Sequence, residues 1–172
     1  TNYAHGYPVF CVSIALENDG KVVMGVIYDP MREELFSAVR GKGAYLNGKK
    51  LSVSSIRDIS RSLLATGFPY DIRESRENNL DYFNRMAVNV QAIRRAGAAA
   101  LDLAYLAAGR FDGFWELKLK PWDTAAGCLM VEEAGGRISD IKGDRWHLQS
   151  ANILASNGFI HEQMIKILQN VE

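Results

Sequence analysis

The chain has 172 residues, 48% of them hydrophobic and 23% charged, so it reads as an ordinary soluble globular chain with one sizeable core. Its 20 basic and 20 acidic residues cancel to a formal net charge of +0, which gives no electrostatic case for nucleic acid or a membrane surface as the main partner. No apolar segment approaches the roughly 20 residues that span a bilayer, and no signal-peptide pattern precedes the first strand. Cys11 and Cys128 each sit in an apolar run without CxxC spacing. They read as small core residues in a reducing compartment, with the cytoplasm as the expected location. The opening TNYAHGYPVF is polar, turn-rich and lacks Met, so the sequence is expected to be the later part of a longer protein.

In chain order, residues 9–16 (VFCVSIAL) form a near-continuous apolar run suited to a buried strand. Asn18-Asp19-Gly20 is a strong turn signal leading into 22–28 (VVMGVIY), which predicts a hairpin. Residues 34–39 read as a short third strand. GKGAYLNGKKLSVS (41–54) reads as a glycine-punctuated turn and a further strand. GKGAYLNG lacks the GxxxxGK[ST] spacing of a phosphate cradle. SLLATG (62–67) is another apolar strand, stopped at Phe68-Pro69-Tyr70. Over 73–90 the apolar residues Leu80, Phe83, Met86, Ala87 and Val90 recur at three- and four-residue steps, predicting an amphipathic helix.

Residues 92–96 are short enough for a strand, and GAAALDLAYLAAG (97–109) predicts a helix packed on most sides, with Gly109 as its stop. Strands are expected at 111–117, 137–141 and 153–156, a helix at the WDTAAG segment, and a closing amphipathic helix over 160–171. Strands alternating with helices after a hairpin-like first half predict a layered α/β domain with a mixed sheet.

The stretch KPWDTAAGCLMVEEAGG poses the sharpest chemical question. Asp123 stands at the first turn of the predicted helix, where a carboxylate oxygen accepts orphan backbone N–H groups. The same carboxylate on a rigid helix start is also suited to hold a metal ion, with the small residues behind it allowing close packing. Glu132 and Glu133 fall on the far side of that helix and read as solvent-facing. Lys120 reads as a solvated surface group, and His5 beside Gly6 and Pro8 as structural.

TNYAHGYPVFCVSIAL, GKGAYLNG, RRAGAAALDLAYLAAGRFDGFWE and KPWDTAAGCLMVEEAGG, in that order and spacing, resemble the inositol monophosphatase family, in its bacterial form, over essentially the whole chain. The resemblance implies the C-terminal half of a layered αβαβα enzyme. It also implies a Mg2+-dependent phosphomonoesterase that hydrolyses myo-inositol monophosphate through a metal-activated water, working as a homodimer in the intact protein. By the same resemblance Asp123 is a metal ligand close to the substrate's ring hydroxyls, and its capping role coexists with that, since a carboxylate has about four lone-pair sites.

Glu116 matches a glutamate that accepts inositol hydroxyls, with an exposed strand residue as the bland alternative. Gly97, Ala98 and Ala99 match the segment whose backbone lies against the ring, and Ala98 stands where many relatives carry Thr or Ser. Arg94 matches a position implicated in substrate binding, although a strand-end arginine paired with a neighbouring acid fits as well.

The family's Asp-Pro-x-Asp-Gly-Thr segment and a further glutamate are expected upstream of Thr1. These 172 residues therefore read as one domain that holds one wall of the site and is inactive alone. A phosphatase for another phosphomonoester, such as fructose 1,6-bisphosphate or a 3′-phosphonucleotide, and a binding protein that keeps the fold without turnover remain as alternatives. Retention of both Glu116 and Asp123 weighs against the last.

Overall fold

Asp19 and Gly20 both adopt positive φ, 49° and 74°, in the computed structural model, which describes residues 1–169. Two central residues of that kind make the tight turn whose twist matches a hairpin. On either side of it β1 (Val12–Asn18) and β2 (Lys21–Asp29) pair antiparallel. The meander continues through β3 (Glu34–Val39), β4 (Gly43–Leu46) and β5 (Lys49–Lys50), giving an antiparallel sheet in the order β1-β2-β3-β4-β5.

The second sheet contains β6 (Leu63–Thr66), β7 (Ala92–Arg94), β8 (Gly113–Leu117), β9 (Arg137–Ser139) and β10 (Asn152–Ser156) in the order β7-β6-β8-β10-β9. Strand β6 runs parallel to β7 and β8, whereas β10 is antiparallel to β8 and β9. The expected α/β layering and mixed sheet are present, but as two sheets. Four α-helices complete the fold: α1 (Leu80–Ala87), α2 (Ala99–Ala107), α3 (Pro121–Glu133) and α4 (His161–Gln169).

Period-two alternation in the second sheet divides the core. Ala65, Phe114, Ile153 and Ala155 face α2 and α3, which are sandwiched against Ile27, Phe36 and Ala38 of the first sheet. Leu64, Trp115 and Leu154 face the other way, onto Met86 of α1 and Met164 and Leu168 of α4. The order of layers is sheet, helices, sheet, helices.

Two expectations are corrected and a third is qualified. In the apolar run 9–16, suited to a buried strand, Val9 is buried but Val12, Ile14 and Leu16 are 55%, 62% and 56% exposed. β1 is the edge of its sheet, and only its inner face meets α3, where Ser13 Oγ donates to the Trp122 carbonyl at 3.2 Å. Met24 and Val39 continue the same uncovered apolar face in register.

The helix expected over 73–90 is confined to α1. Asn79 has φ 72° and is buried, a left-handed residue through which a right-handed helix does not extend. Ahead of it the chain turns, tied down by Lys118 Nζ, which reaches Asp71 Oδ2 and Ser75 Oγ at 2.7 Å each. Glu133 is not solvent-facing, because its two carboxylate oxygens accept the Gly41 and Gly43 N–H groups at 2.7 and 2.8 Å and hold the glycine-rich turn. The last two residues of the helix expected over 160–171, including Val171, lie outside the described residues.

Candidate active site

Helix α3 opens with Pro121 in its first turn, where the missing N–H costs nothing. Asp123 sits at the third helical position and its Oδ2 accepts the Lys120 backbone N–H at 2.9 Å. The capping role is therefore real, yet it uses one oxygen only. Oδ1 accepts no hydrogen bond from the described residues, and Asp123 lines a cavity of about 490 Å³. Small residues seat the helix: a Cβ on Gly127 would lie 2.5 Å from Leu103 Cβ of α2, and one on Gly25 would lie 2.9 Å from the Ala126 backbone. α3 is thus wedged between the first sheet and α2, and its N-terminal end is fixed in place.

Glu116 projects from β8 into the same cavity. Its carboxyl lies flat on Gly67, just past the end of β6; a Cβ on Gly67 would overlap all three carboxyl atoms, with even Oε2 only 2.5 Å away. Gly67 has no positive φ, so glycine is required there for space and not for conformation. Glu116 has no hydrogen-bond donor among the described residues. Burial first, and the negative charge of Asp123 second, push its pKa up to about 7, against the opposing influence of Arg95.

The floor beneath it is rigid. Asn79 Nδ2 donates to the Gly67 carbonyl at 2.6 Å and to Thr66 Oγ1 at 2.9 Å, while its Oδ1 accepts Trp115 Nε1 at 2.7 Å. Thr66 Oγ1 in turn donates to the Trp115 carbonyl at 2.6 Å.

Gly97, Ala98 and Ala99 line the cavity at the start of α2. Gly97 takes φ 79°, and Asn2 Nδ2 pins the turn by donating to the Val9 and Ala96 carbonyls at 2.8 Å. Arg94 is placed differently from the expectation. It ends β7 exposed, its Nη1 donating to the Ile93 carbonyl at 3.2 Å, outside the cavity lining. The neighbouring Arg95 lines the cavity instead and has no hydrogen-bond or ion-pair partner among the described residues.

Behind this wall Asp102 is 1% exposed, with Oδ1 unpartnered; burial and the nearby Glu116 charge raise its pKa well above the carboxylate range. Lys120 and His5 are both exposed.

Sequence reasoning missed Arg95, Gly67 and Asn79. The RR pair in RRAG gave no means of telling which guanidinium turns inward. The glycine before Phe68-Pro69 was visible only as a strand end. Nothing in the sequence distinguishes Asn79 from the polar residues around it.

Among the described residues no group of three or more His, Cys, Asp or Glu side chains is gathered to hold a metal ion. The single free oxygen of Asp123 is nonetheless a hard, anionic donor of the kind Mg2+ takes, and fits as one ligand of a larger set.

Against known proteins, the sequence profile of the Inositol monophosphatase family matches residues 1–172. The chain belongs to the inositol monophosphatase family. It is 46% identical over 173 residues to a protein named Nus factor SuhB from Pseudomonas aeruginosa, covering 98% of this chain and 63% of that one. An inositol-1-monophosphatase from Mesorhizobium japonicum is 43% identical over 169 residues, with coverages of 98% and 64%. The chain thus spans a little under two thirds of the length of these curated relatives. Among solved structures, the inositol monophosphatase from Anabaena superposes with a TM-score of 0.96 at 46% identity, over 99% of this chain and 68% of that one. No helix among the described residues is long and apolar enough to cross a membrane.

Proposed function

We propose that this chain forms one wall of the active site of a Mg2+-dependent phosphomonoesterase for myo-inositol monophosphate, in a cytoplasmic homodimer. The observation that carries this reading is the pairing of Glu116 and Asp123 in one cavity, each with carboxylate oxygen that no protein donor occupies. Asp123 Oδ1 would hold the ion together with carboxylates outside these 172 residues. When bound, Mg2+ supplies Lewis-acid polarisation of the phosphoryl oxygens and lowers the pKa of a water.

The rest is positioning by the chain's own groups. Glu116, placed over Gly67, accepts hydrogen bonds from hydroxyls at two ring positions. The Gly97–Ala98–Ala99 backbone offers close approach at a helix start, and Ala98 offers no hydroxyl to the ring. Arg95 presents an unpaired guanidinium to a phosphate or polyol oxygen, the role first assigned to Arg94. A related sugar-phosphate or nucleotide phosphatase differs from this reading in what faces Glu116. The SuhB-named relatives raise a Nus-factor role as a second reading, yet a purely structural role requires neither free carboxylate.

In the intact protein Asp123→Asn keeps the Lys120 N–H acceptor, so folding is preserved, but it removes the anionic ligand. Phosphatase turnover should fall about a hundredfold or more. Unchanged turnover and unchanged Mg2+ dependence would refute the ligand role.

A further inference from the structure

A second cavity, of about 290 Å³, lies away from Asp123 along α3. One face of that helix forms its wall through Ala125, Cys128, Leu129 and Glu132, residues spaced to share a stripe. The turn before β2 and the segment 145–149 close the other sides. Its chemistry differs from that of the candidate active site, where carboxylates dominate.

Three cationic side chains, Lys21, Arg40 and Arg145, border it against one carboxylate, Glu132. Glu132 is already committed to Arg40 Nη1 at 3.1 Å, and Arg40 Nε donates to the Val22 carbonyl at 2.7 Å. Lys21 and Arg145 have no ion-pair partner among the described residues. The walls between these charges are apolar: Val22, Ala125 and Leu129 are all buried. Trp146 adds an indole ring to the lining.

We propose that this cavity is a binding site for a small organic anion, a phosphate or carboxylate carried on a flat apolar body, distinct from the candidate active site. Lys21 and Arg145 bind the anionic head, and the apolar wall and the Trp146 ring take the body. Because α3 carries both the wall and Asp123, occupancy bears on the catalytic end of the same rigid element. That second step rests on the phosphatase reading; binding itself does not.

The probe is benzylphosphonate, whose C–P bond a phosphatase does not cleave, titrated into the intact protein by calorimetry and followed by tryptophan fluorescence. Binding is expected for benzylphosphonate and absent for benzyl alcohol. The Lys21→Ala/Arg145→Ala pair, both surface side chains, should weaken it about tenfold or more through loss of the charge-assisted bonds. Trp146→Phe should abolish the fluorescence change, and Asp123→Asn should leave the affinity unchanged. No binding, or binding that Asp123→Asn abolishes while the double variant retains it, would overturn the site. Saturation that shifts kcat or KM in the parent protein but not in the double variant is expected; saturation without any shift would overturn the link to Asp123 and leave the site standing.

Discussion

Gly67→Ala isolates the role of Glu116 without touching Glu116. The backbone at Gly67 accepts any L residue, so the substitution introduces no φ strain, and what the new methyl meets is the Glu116 carboxyl. Oε2, the farthest of the three carboxyl atoms, would stand 2.5 Å from the added Cβ and Oε1 closer still, so the group must retreat by more than about 1 Å to reach ordinary contact. The yielding atoms are the far end of a flexible side chain, so fold stability should change little. Polyol recognition should suffer, because a hydrogen bond to a charged acceptor contributes about 1.5–3 kcal/mol and is lost when the acceptor is misplaced by that distance.

The expected result in the intact protein is a fall of about 10- to 100-fold in kcat/KM for inositol monophosphate. p-Nitrophenyl phosphate, which has no ring hydroxyls, should be hydrolysed nearly as before. The assay is steady-state phosphate release on both substrates, with a melting curve as the control for folding. An equal loss on both substrates, or an unchanged preference for inositol monophosphate, would refute the argument that Gly67 exists to seat the carboxylate.

Two further outcomes follow from the same structure. His161 is fully buried; Ser139 Oγ spends its proton on the Asp140 carbonyl and so accepts from Nε2 at 2.9 Å, while Nδ1 accepts from Ser156 Oγ at 2.8 Å, an arrangement that fits the neutral ring. Burial depresses its pKa to about 4 from 6.5, so stability is complete above pH 6.5 and about 3 kcal/mol is lost as pH falls toward 4; denaturant titrations across that window should show a slope that His161→Phe flattens. On the proposed reading, in which Asp123 is one ligand of a multi-ion site, the 172 residues alone should show no phosphatase activity; measured turnover that Asp123→Asn abolishes would show that the chain carries a complete site.

Strong local chemistry was legible in the sequence. The Asn18-Asp19-Gly20 turn, the helical stripe around Leu80–Ala87 and the small-residue helix after Asp123 all appear because each is specified within a few residues. What the sequence left open depends on contacts across the layers. The run at 9–16 looks buried from its apolarity, but exposure is set by what lies over the outer face of an edge strand, and no local pattern records that. The choice between Arg94 and Arg95 turns on how β7 hands over to the Gly97 turn. Asn79 joins Gly67 to Trp115 across 12 and 36 positions. Asp123 shows how one position can leave two readings open together: one oxygen accepts the Lys120 N–H, and the other is left free for the proposed metal role.

Placing an unsatisfied carboxylate on this wall has a thermodynamic consequence that a last experiment can read. Glu116 ionises at about 7 in the folded chain against 4.5 for an ordinary glutamate. Between these two values the folded state binds more protons than the unfolded one, so stability declines as pH rises from 4.5 to 7 and the full penalty remains above pH 7. The shift corresponds to about 3 kcal/mol at most, which for a chain of this size is a difference of roughly 5–10 °C in Tm. Glu116→Gln removes the charge and keeps the shape over Gly67. It should therefore raise Tm of the metal-free chain at pH 8 and leave it nearly unchanged at pH 4.5. The same substitution should lower activity on inositol monophosphate in the intact protein, because a neutral amide is a poorer acceptor for ring hydroxyls. Greater stability at high pH together with weaker catalysis is the signature of a group retained for binding at the expense of the fold. A Glu116→Gln variant that is less stable than the parent at pH 8 would mean that the carboxylate has a folded-state partner, and the polyol-acceptor role would lose its physical basis.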